Sequence, residues 1–357
     1  MHQKIAIIYN QPNYSYSVAV GEEKAELSIL SVVKAVHRAL HNLGYAVVRV
    51  PLSPPVEQAK ERLARLKTGL VFNLFEGFDE QPESEATVAC YLAELGFTYT
   101  GCPSDVLALA LNKAKIKKAL EAAGIVTPKY QVLRPDMLPL FHLDYPCIVK
   151  PCGQDASHGM SSDSVVGDIA QLEKLVLRIS QQFGGEALVE EFIDGREFNI
   201  TVWGNGVPSV LPITEIVYSL PPDMPKILTF DAKWERSSIY FQNTKPVCPA
   251  KISDELRSSI EHAAMSIFKL LNCSGYLRLD MRVDSRGHPN IFDVNPNPDI
   301  DPGTGAARQA KAAGMTYTQF ISSIVHLALG VRDDHADHTA DDWQRQAGYH
   351  AYIAANA

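Results

Sequence analysis

The chain of 357 residues has no apolar run approaching the roughly 18 residues of a membrane span. Nor has it an excess of positive charge. Lys and Arg number 33 against 41 Asp and Glu, for a formal net charge of −8. That excludes a general basic surface for nucleic acid and leaves room only for a local basic pocket. The six cysteines (Cys90, Cys102, Cys147, Cys152, Cys248 and Cys273) form no C-x-x-C pair and no regular spacing. They read as reduced, mostly buried thiols of a cytosolic protein. There is no G-x-x-x-x-G-K-[ST] phosphate loop, no internal repeat and no low-complexity tract. The opening "MHQKIAIIYNQPN" breaks off at Asn and Pro too soon for a secretion signal and reads as a first strand.

What is present is an ordinary globular composition, 46% hydrophobic and 21% charged, long enough for two or three domains. Lys4–Tyr9 has the character of a buried parallel strand. Leu27, Leu30, Val33 or Lys34, Val36 or His37, Leu40 and Leu43 follow helical spacing up to Gly44. "YAVVRV" and "GLVFN" read as further strands, with Glu57–Lys67 and Glu83–Leu95 as helices. This alternation predicts an open parallel sheet with covering helices over residues 1–111. A central subdomain is expected over 112–203, with a basic amphipathic helix "NKAKIKKALEAAG", a strand "YPCIVKP", a helix Asp168–Phe183 and two strands around the Gly turn of "LVEEFIDGREF". A third unit, 204–330, opens on the hairpin signal "GNG" and continues through an irregular stretch to about Ala250. A helix Asp254–Leu271, two antiparallel strands joined by "DSRG", and helices at 304–313 and 317–329 complete it. Residues 331–357 are polar, and their "DDHADH", with His335 and His338, reads as a solvated tail. The fold class is therefore mixed α/β and α+β.

The chemistry concentrates at the end of an apolar strand, "IFDVNPNPDID". Alternate strand residues share a face, so Arg278 and Asp280 face together on "LRLDMRV", as do Asp293 and Asn295 on the partner strand. The short turn lets those faces meet. Oxygen ligands without His or Cys suit Mg²⁺ held jointly with phosphates, and the prolines stop the strand where ligand geometry matters. The alternative is a solvated hairpin end, with Arg278 a simple ion-pair partner of Asp280. Lys150 ends a buried strand and is followed by the polar loop "CGQDASHGM", able to fold over phosphates through its backbone. Glu190, Glu191 and Glu197 surround a Gly turn. They could accept from an adenine amine and ribose hydroxyls, or form a solvated acidic turn.

Taken in order, "ALNKAKIKKALEAAGIVTP", "PCIVKP", "SHGM", "LVEEFIDGREFNITV", "FDAKW", "CPA", "GYLRLDMRV", "FDVNPNP" and "AAGMTYTQFI" resemble the ATP-grasp superfamily, specifically its D-alanine–D-alanine ligase branch. The resemblance covers about residues 1–330, weakly over the first 70. It implies an ATP-grasp architecture in which Lys113, Lys150 and Lys233 contact the nucleotide phosphates, with Lys233 also serving catalysis. It places Ser157 in a small loop over the phosphates, Glu190 and the backbone near Ile193 at an adenine hinge, and Glu197 on the ribose. Asp280, Asp293 and Asn295 would hold two Mg²⁺ ions, with Mn²⁺ as a substitute, and Arg278 would stabilise an oxyanion. Thr229–Ala250 would be a lid that excludes water. The implied reaction is ATP-dependent ligation of a small-molecule carboxylate to an amine through an acyl phosphate. The same resemblance implies a homodimer, while the composition leads one to expect a cytoplasmic protein that engages neither nucleic acid nor membrane.

The amino-acid half departs from that pattern. Asp293 stands where the family has Glu. Ala156 replaces the first Ser of a Ser-Ser pair, and Trp234 replaces its Tyr partner. "NLFEGFDEQPES" replaces an HGR-like segment and brings in Glu76. "PNPDIDPGTG" replaces the run that binds the acceptor carboxylate and brings in Asp299 and Asp301, which could instead cap the helix near Thr304. The Glu that holds the first amino group falls near Glu22, Glu23 or Glu26. These changes predict a ligase for an amino acid or related molecule that uses D-alanine poorly. The alternatives are authentic D-alanyl-D-alanine synthesis, another ATP-grasp reaction such as carboxyphosphate chemistry or ligation onto a protein, and a non-catalytic nucleotide-binding regulator. Retention of Arg278, Asp280, Asp293 and Asn295 together argues against the last.

Overall fold

A computed structural model describes residues 3–12, 20–78, 81–153, 160–183 and 185–330. Strand β1 (Lys4–Asn10) is buried along its middle five residues, as a parallel strand covered on both faces must be. Helix α1 (Val20–Asn42), β2 (Ala46–Leu52), α2 (Val56–Ala64), β3 (Leu70–Leu74), α3 (Ser84–Glu94), the short β4 (Thr98–Tyr99) and α4 (Ser104–Ala110) follow. The sheet is parallel, in the order β2-β1-β3-β4. Ile5 and Ile7 pack under Val33, Val36 and Leu40 of α1, while Ala6 and Ile8 pack on the other face against Leu63, Val88 and Leu92. Because β2 and β3 flank β1 on opposite sides, the carboxyl ends of β1 and β3 border a topological switch point, the usual place for a ligand in such sheets.

Helix α5 (Lys113–Ala122) starts at Asn112, whose side chain accepts the N–H of Lys115 at 3.0 Å. Next come β5 (Tyr130–Leu133), β6 (Cys147–Pro151), β7 (Val165–Val166), α6 (Ile169–Phe183) and β8 (Ala187–Glu191). They form an antiparallel sheet in the order β5-β8-β6-β7, with Leu172, Leu175, Val176 and Ile179 of α6 in its core.

The third unit contains β9 (Arg196–Asn205), β10 (Val207–Val210), β11 (Thr214–Tyr218), α7 (Phe230–Trp234), α8 (Ile239–Asn243), β12 (Thr244–Val247) and α9 (Asp254–Leu270). It ends with β13 (Ser274–Val283), β14 (Pro289–Pro296), α10 (Gly305–Ala312) and α11 (Tyr317–Leu329). Its antiparallel sheet runs β12-β11-β9-β13-β14, with β10 paired to β9 as the "GNG" turn predicts. The expected boundary at 203 is corrected. It runs through β9, which lies wholly in this sheet, so the central sheet ends at Glu191. The two strands around the Gly turn belong to different sheets. Gly195 makes the transition against β13, where a Cβ would stand 1.8 Å from the Val283 carbonyl oxygen. Elements β4, α4, β5, β7, α7, α8 and β12 lie outside the sequence expectations, since pieces this short carry no readable period.

Helix α11 returns to the first sheet, where Phe320, Ile321 and Ile324 share the core of Ile5, Ile7 and α1. At the same junction Gly275 has φ +79°, and a Cβ on it would lie 2.6 Å from the Gly101 carbonyl oxygen. Gly44 has φ +85° with nothing within 4 Å of its would-be Cβ. Gly44→Ala should therefore cost only the roughly 1–2 kcal/mol of left-handed backbone. Gly275→Ala adds a clash with immovable backbone. Thermal unfolding of the two variants should show a clearly larger fall in Tm for Gly275→Ala, and equal falls would contradict this packing.

Candidate active site

The three sheets border one cleft of about 1710 Å³. On its floor, β13 pairs with β14 so that Arg278 lies opposite Asn295 and Asp280 opposite Asp293. The faces expected to meet do meet. Beyond Asp293 the register slips, because Met281 pairs with Ile291 and Phe292 is left as the extra residue of a bulge. Arg278 Nε and Nη2 donate to Asp280 Oδ1 and Oδ2, each at 2.8 Å. Asn199 Nδ2 also donates to Asp280 Oδ1 at 2.8 Å, and Asn295 Nδ2 to Oδ2 at 3.2 Å. Lys113 Nζ, at the first position of α5, donates to Asp293 Oδ1 at 3.2 Å. Burial alone would raise the Asp293 carboxyl, but the charges of Lys113, Lys150 and Arg278 outweigh it and hold the group well below the ordinary range.

No three His, Cys, Asp or Glu side chains converge among the described residues. The donor set is two carboxylates and the Asn295 amide oxygen, whose NH₂ already points at Asp280. Such a hard, incomplete oxygen set fits Mg²⁺ completed by phosphate oxygens, and offers nothing to a metal that needs sulfur or imidazole.

On the wall, Lys150 of β6 donates to the bulged Phe292 carbonyl at 3.1 Å. Its ammonium also lies 2.5 Å from Glu190 Oε2, and Lys117 pairs with Glu190 Oε1. These are charge contacts whose angles are not those of hydrogen bonds. Glu190, expected at an adenine hinge, lines the cleft with its carboxylate set between two ammonium groups. Burial would raise its pKa, and the two lysines lower it instead. Glu197 Oε2 accepts from Arg282 Nη2 at 2.6 Å and from Tyr218 Oη at 2.9 Å. Arg282 Nη1 meanwhile donates to the Ile193 carbonyl at 2.9 Å, tying the residues expected at ribose and hinge into one unit. Lys233 of α7 lines the cleft, its ammonium pushed down to about 8 by burial and then by Arg278.

Comparison with known proteins settles the family. The model for the C-terminal part of D-Ala–D-Ala ligases matches residues 120–326. A D-alanine–D-alanine ligase of Sphingopyxis alaskensis is 31% identical over 313 residues, 85% of this chain and 94% of that protein. The chain belongs to the D-alanine–D-alanine ligase family. An uncharacterised protein of Sinorhizobium fredii is 32% identical over 264 residues, 73% of this chain and 75% of its own length. A crystal structure of the Bacillus anthracis D-alanine–D-alanine ligase superposes with a TM-score of 0.71 at 21% identity, covering 93% of this chain and 99% of that one, a likeness of fold. The protein is accordingly an ATP-dependent ligase of ATP-grasp architecture.

The ligase shapes the other end of its cleft with acids. Asn10, at the end of β1, accepts the N–H of Glu76 at 2.9 Å and donates to the Gly77 carbonyl. This ties the loop after β3 so that Glu76 faces the cleft at the switch point. Water reaches Glu76 and Asp299 through the open mouth, yet the walls enclose them. Burial, and then Asp299, push the Glu76 carboxyl up to about 7, and burial raises Asp299 as well. Asp301 is corrected to a structural role. Its Oδ2 accepts from Ser31 at 3.1 Å, its Oδ1 from the Gly303 N–H at 3.0 Å, and it is not among the cleft-lining residues. Nor does either acid cap α10 through its side chain; the Asp301 carbonyl accepts from the Thr304 N–H at 2.9 Å. Ala156 and Ser157, the side chains of Glu22, Glu23, Glu26 and Trp234, and the tail histidines lie outside the described residues.

Sequence reasoning missed Asn199, Lys117, Tyr218 and Arg282. Two had a signal: Arg282 continues the alternation from Arg278 and Asp280, and Asn199 that from Glu197. Asp293→Asn should abolish ATP turnover while leaving the fold intact, because a neutral amide forfeits several kcal/mol of charge stabilisation at a cation-binding position. Phosphate release together with a melting curve checks it, and near-wild-type turnover would remove Asp293 from the metal-binding set.

Proposed function

We propose that this ligase joins the carboxylate of an amino acid or related small molecule to an amine through an acyl phosphate. The observation that carries the reading is the convergence of Arg278, Asp280, Asp293 and Asn295 with Lys113, Lys150 and Lys233 on one cleft. Phosphoryl transfer needs positioning and charge neutralisation more than covalent help. Asp280, Asp293 and Asn295 would hold Mg²⁺, which neutralises phosphate charge when bound. Lys113, Lys150 and Lys233 neutralise more, and Glu197, braced by Arg282 and Tyr218, keeps one oxygen for a ribose hydroxyl. The substrate carboxylate attacks the γ-phosphate, and an amine then displaces phosphate to form the amide. A segment such as Thr229–Ala250 would keep water from the acyl phosphate. The free thiols of all six cysteines fit a reducing, cytoplasmic setting.

Arg278 uses two of its five N–H groups on Asp280, leaving others for a developing oxyanion. Asp280 keeps Asn199 and Asn295 if Arg278 is removed. Arg278→Ala should therefore slow amide formation by about 10²–10³, with equilibrium nucleotide affinity changed by no more than about threefold. A large loss of nucleotide affinity would make Arg278 a phosphate ligand instead.

The acceptor is where this ligase differs. Glu76 and Asp299 face the same end of the cleft, and like charges in a partly dry site repel a bound carboxylate more than in water. An acceptor with a cationic group suits that end better than alanine. Mass spectrometry of products with D-alanine alone, beside a panel of L- and D-amino acids, decides the point. Alanyl-alanine formed with kcat/KM on the order of 10⁴ M⁻¹s⁻¹ or more, an ordinary enzyme efficiency, would sink the idea.

The pH dependence has a definite sign. With the Glu76 carboxyl near 7, the group is neutral below that pH and anionic above it. KM for a cationic acceptor should fall as pH rises through about 7, and Glu76→Gln should flatten that profile. A profile unchanged by the substitution would assign the dependence to another group.

A further inference from the structure

Lys117 lies outside the main cleft, yet it is among the most enclosed charged groups of the described residues. It is 2% exposed, Glu190 is 1% exposed and Lys150 is 7% exposed. Ile148 pairs with Glu190 across β6 and β8, which sets Lys150, two residues on, diagonally beside Glu190 on the same face. The Glu190 carboxylate then has one ammonium at each oxygen, Lys150 from its own sheet and Lys117 from α5. Lys117 is anchored behind the carboxylate. Its Nζ donates to Thr127 Oγ1 at 2.5 Å and to the Pro128 carbonyl at 3.4 Å, and lies 5.2 Å from the centre of the Tyr130 ring. Thr127 Oγ1 in turn donates to the Ile291 carbonyl at 2.8 Å, next to the bulged Phe292 that receives Lys150.

The charges settle what this triad does. Lys150 with Glu190 alone would be a closed ion pair, with no net charge to offer across the cleft. Adding Lys117 leaves the set at one net positive charge. Only Lys150 and Glu190 of the three line the main cleft, so the surplus charge is presented there by Lys150. We propose that Lys117 is a positioning residue which neutralises Glu190 from behind, so that Lys150 keeps a full positive charge for nucleotide phosphates. Glu190 in this arrangement fixes where the Lys150 ammonium stands, and Lys117 prevents that fixation from cancelling its charge. A simple space-filling lysine would instead need no carboxylate shared with a cleft residue. The proposal rests on the reading of the cleft as a nucleotide site.

Calorimetric titration of the full chain with ADP and with adenosine, at fixed Mg²⁺, separates phosphate contacts from base contacts. Lys117→Met should weaken ADP at least tenfold and adenosine less than twofold, and Lys117→Arg should restore ADP binding. The double variant Lys117→Met, Glu190→Gln removes one charge of each sign and returns the net charge to its original value, so ADP affinity should recover to within about threefold of wild type. If Lys117→Met alone does not fold, the double variant carries the test by itself. Unchanged ADP binding in Lys117→Met, an equal loss for ADP and adenosine, or a double variant still weakened tenfold would each overturn the proposal. Wild-type protein that binds no ADP would instead overturn the nucleotide reading, and the two failures are thus told apart.

Discussion

Carboxylates gathered in one cleft stay ionised only if cations are set against them, and the active-site half of this ligase is organised around that constraint. Asp280 faces Arg278, Asp293 faces Lys113, Glu190 lies between Lys117 and Lys150, and Glu197 faces Arg282. Such pairs add little net stability, because desolvation of the ions offsets most of their attraction. What they supply is position. Each side chain is fixed at the cleft by its partner, so the site is organised before anything enters it.

The fold delivers those partners from distant parts of the chain. The β13–β14 hairpin brings Arg278, Asp280, Asp293 and Asn295 together through local pairing. Adjacent β9 adds Glu197 and Asn199 on the same sheet. The central sheet contributes Lys150 and Glu190, and α5 contributes Lys113 and Lys117. The bulge at Phe292 couples the units, because the carbonyl it displaces from the ladder receives Lys150 from the neighbouring sheet.

The opposite end of the cleft follows another logic. Glu76 and Asp299 face the open space together, and burial by the cleft walls, with the charge of Asp299 added to it, raises the Glu76 carboxyl. The two ends of the cleft differ in charge: one sets each carboxylate against a cation, and the other brings two carboxylates together. Asp299 and Asp301 show how fine that division is. They are two residues apart, but one lines the cleft and the other holds Ser31 and a turn.

The sequence alone determined most of the longer strands and the long helices, the facing of Arg278 and Asp280 towards Asp293 and Asn295, and the family. These depend on local periodicity, on one short hairpin and on an ordered set of motifs, all contained in neighbouring residues. Tertiary structure alone decided that β9 belongs to the last sheet, that Asp301 is structural, and that Lys117 reaches Glu190 from behind. It also decided that Asn199 stands opposite Asp280, since no turn joins β9 to β13 and their register is set only when the sheet assembles. A strand's pattern shows which side chains share a face. It does not show which distant strand or helix that face will meet, and the charge balance of the cleft is fixed by those meetings.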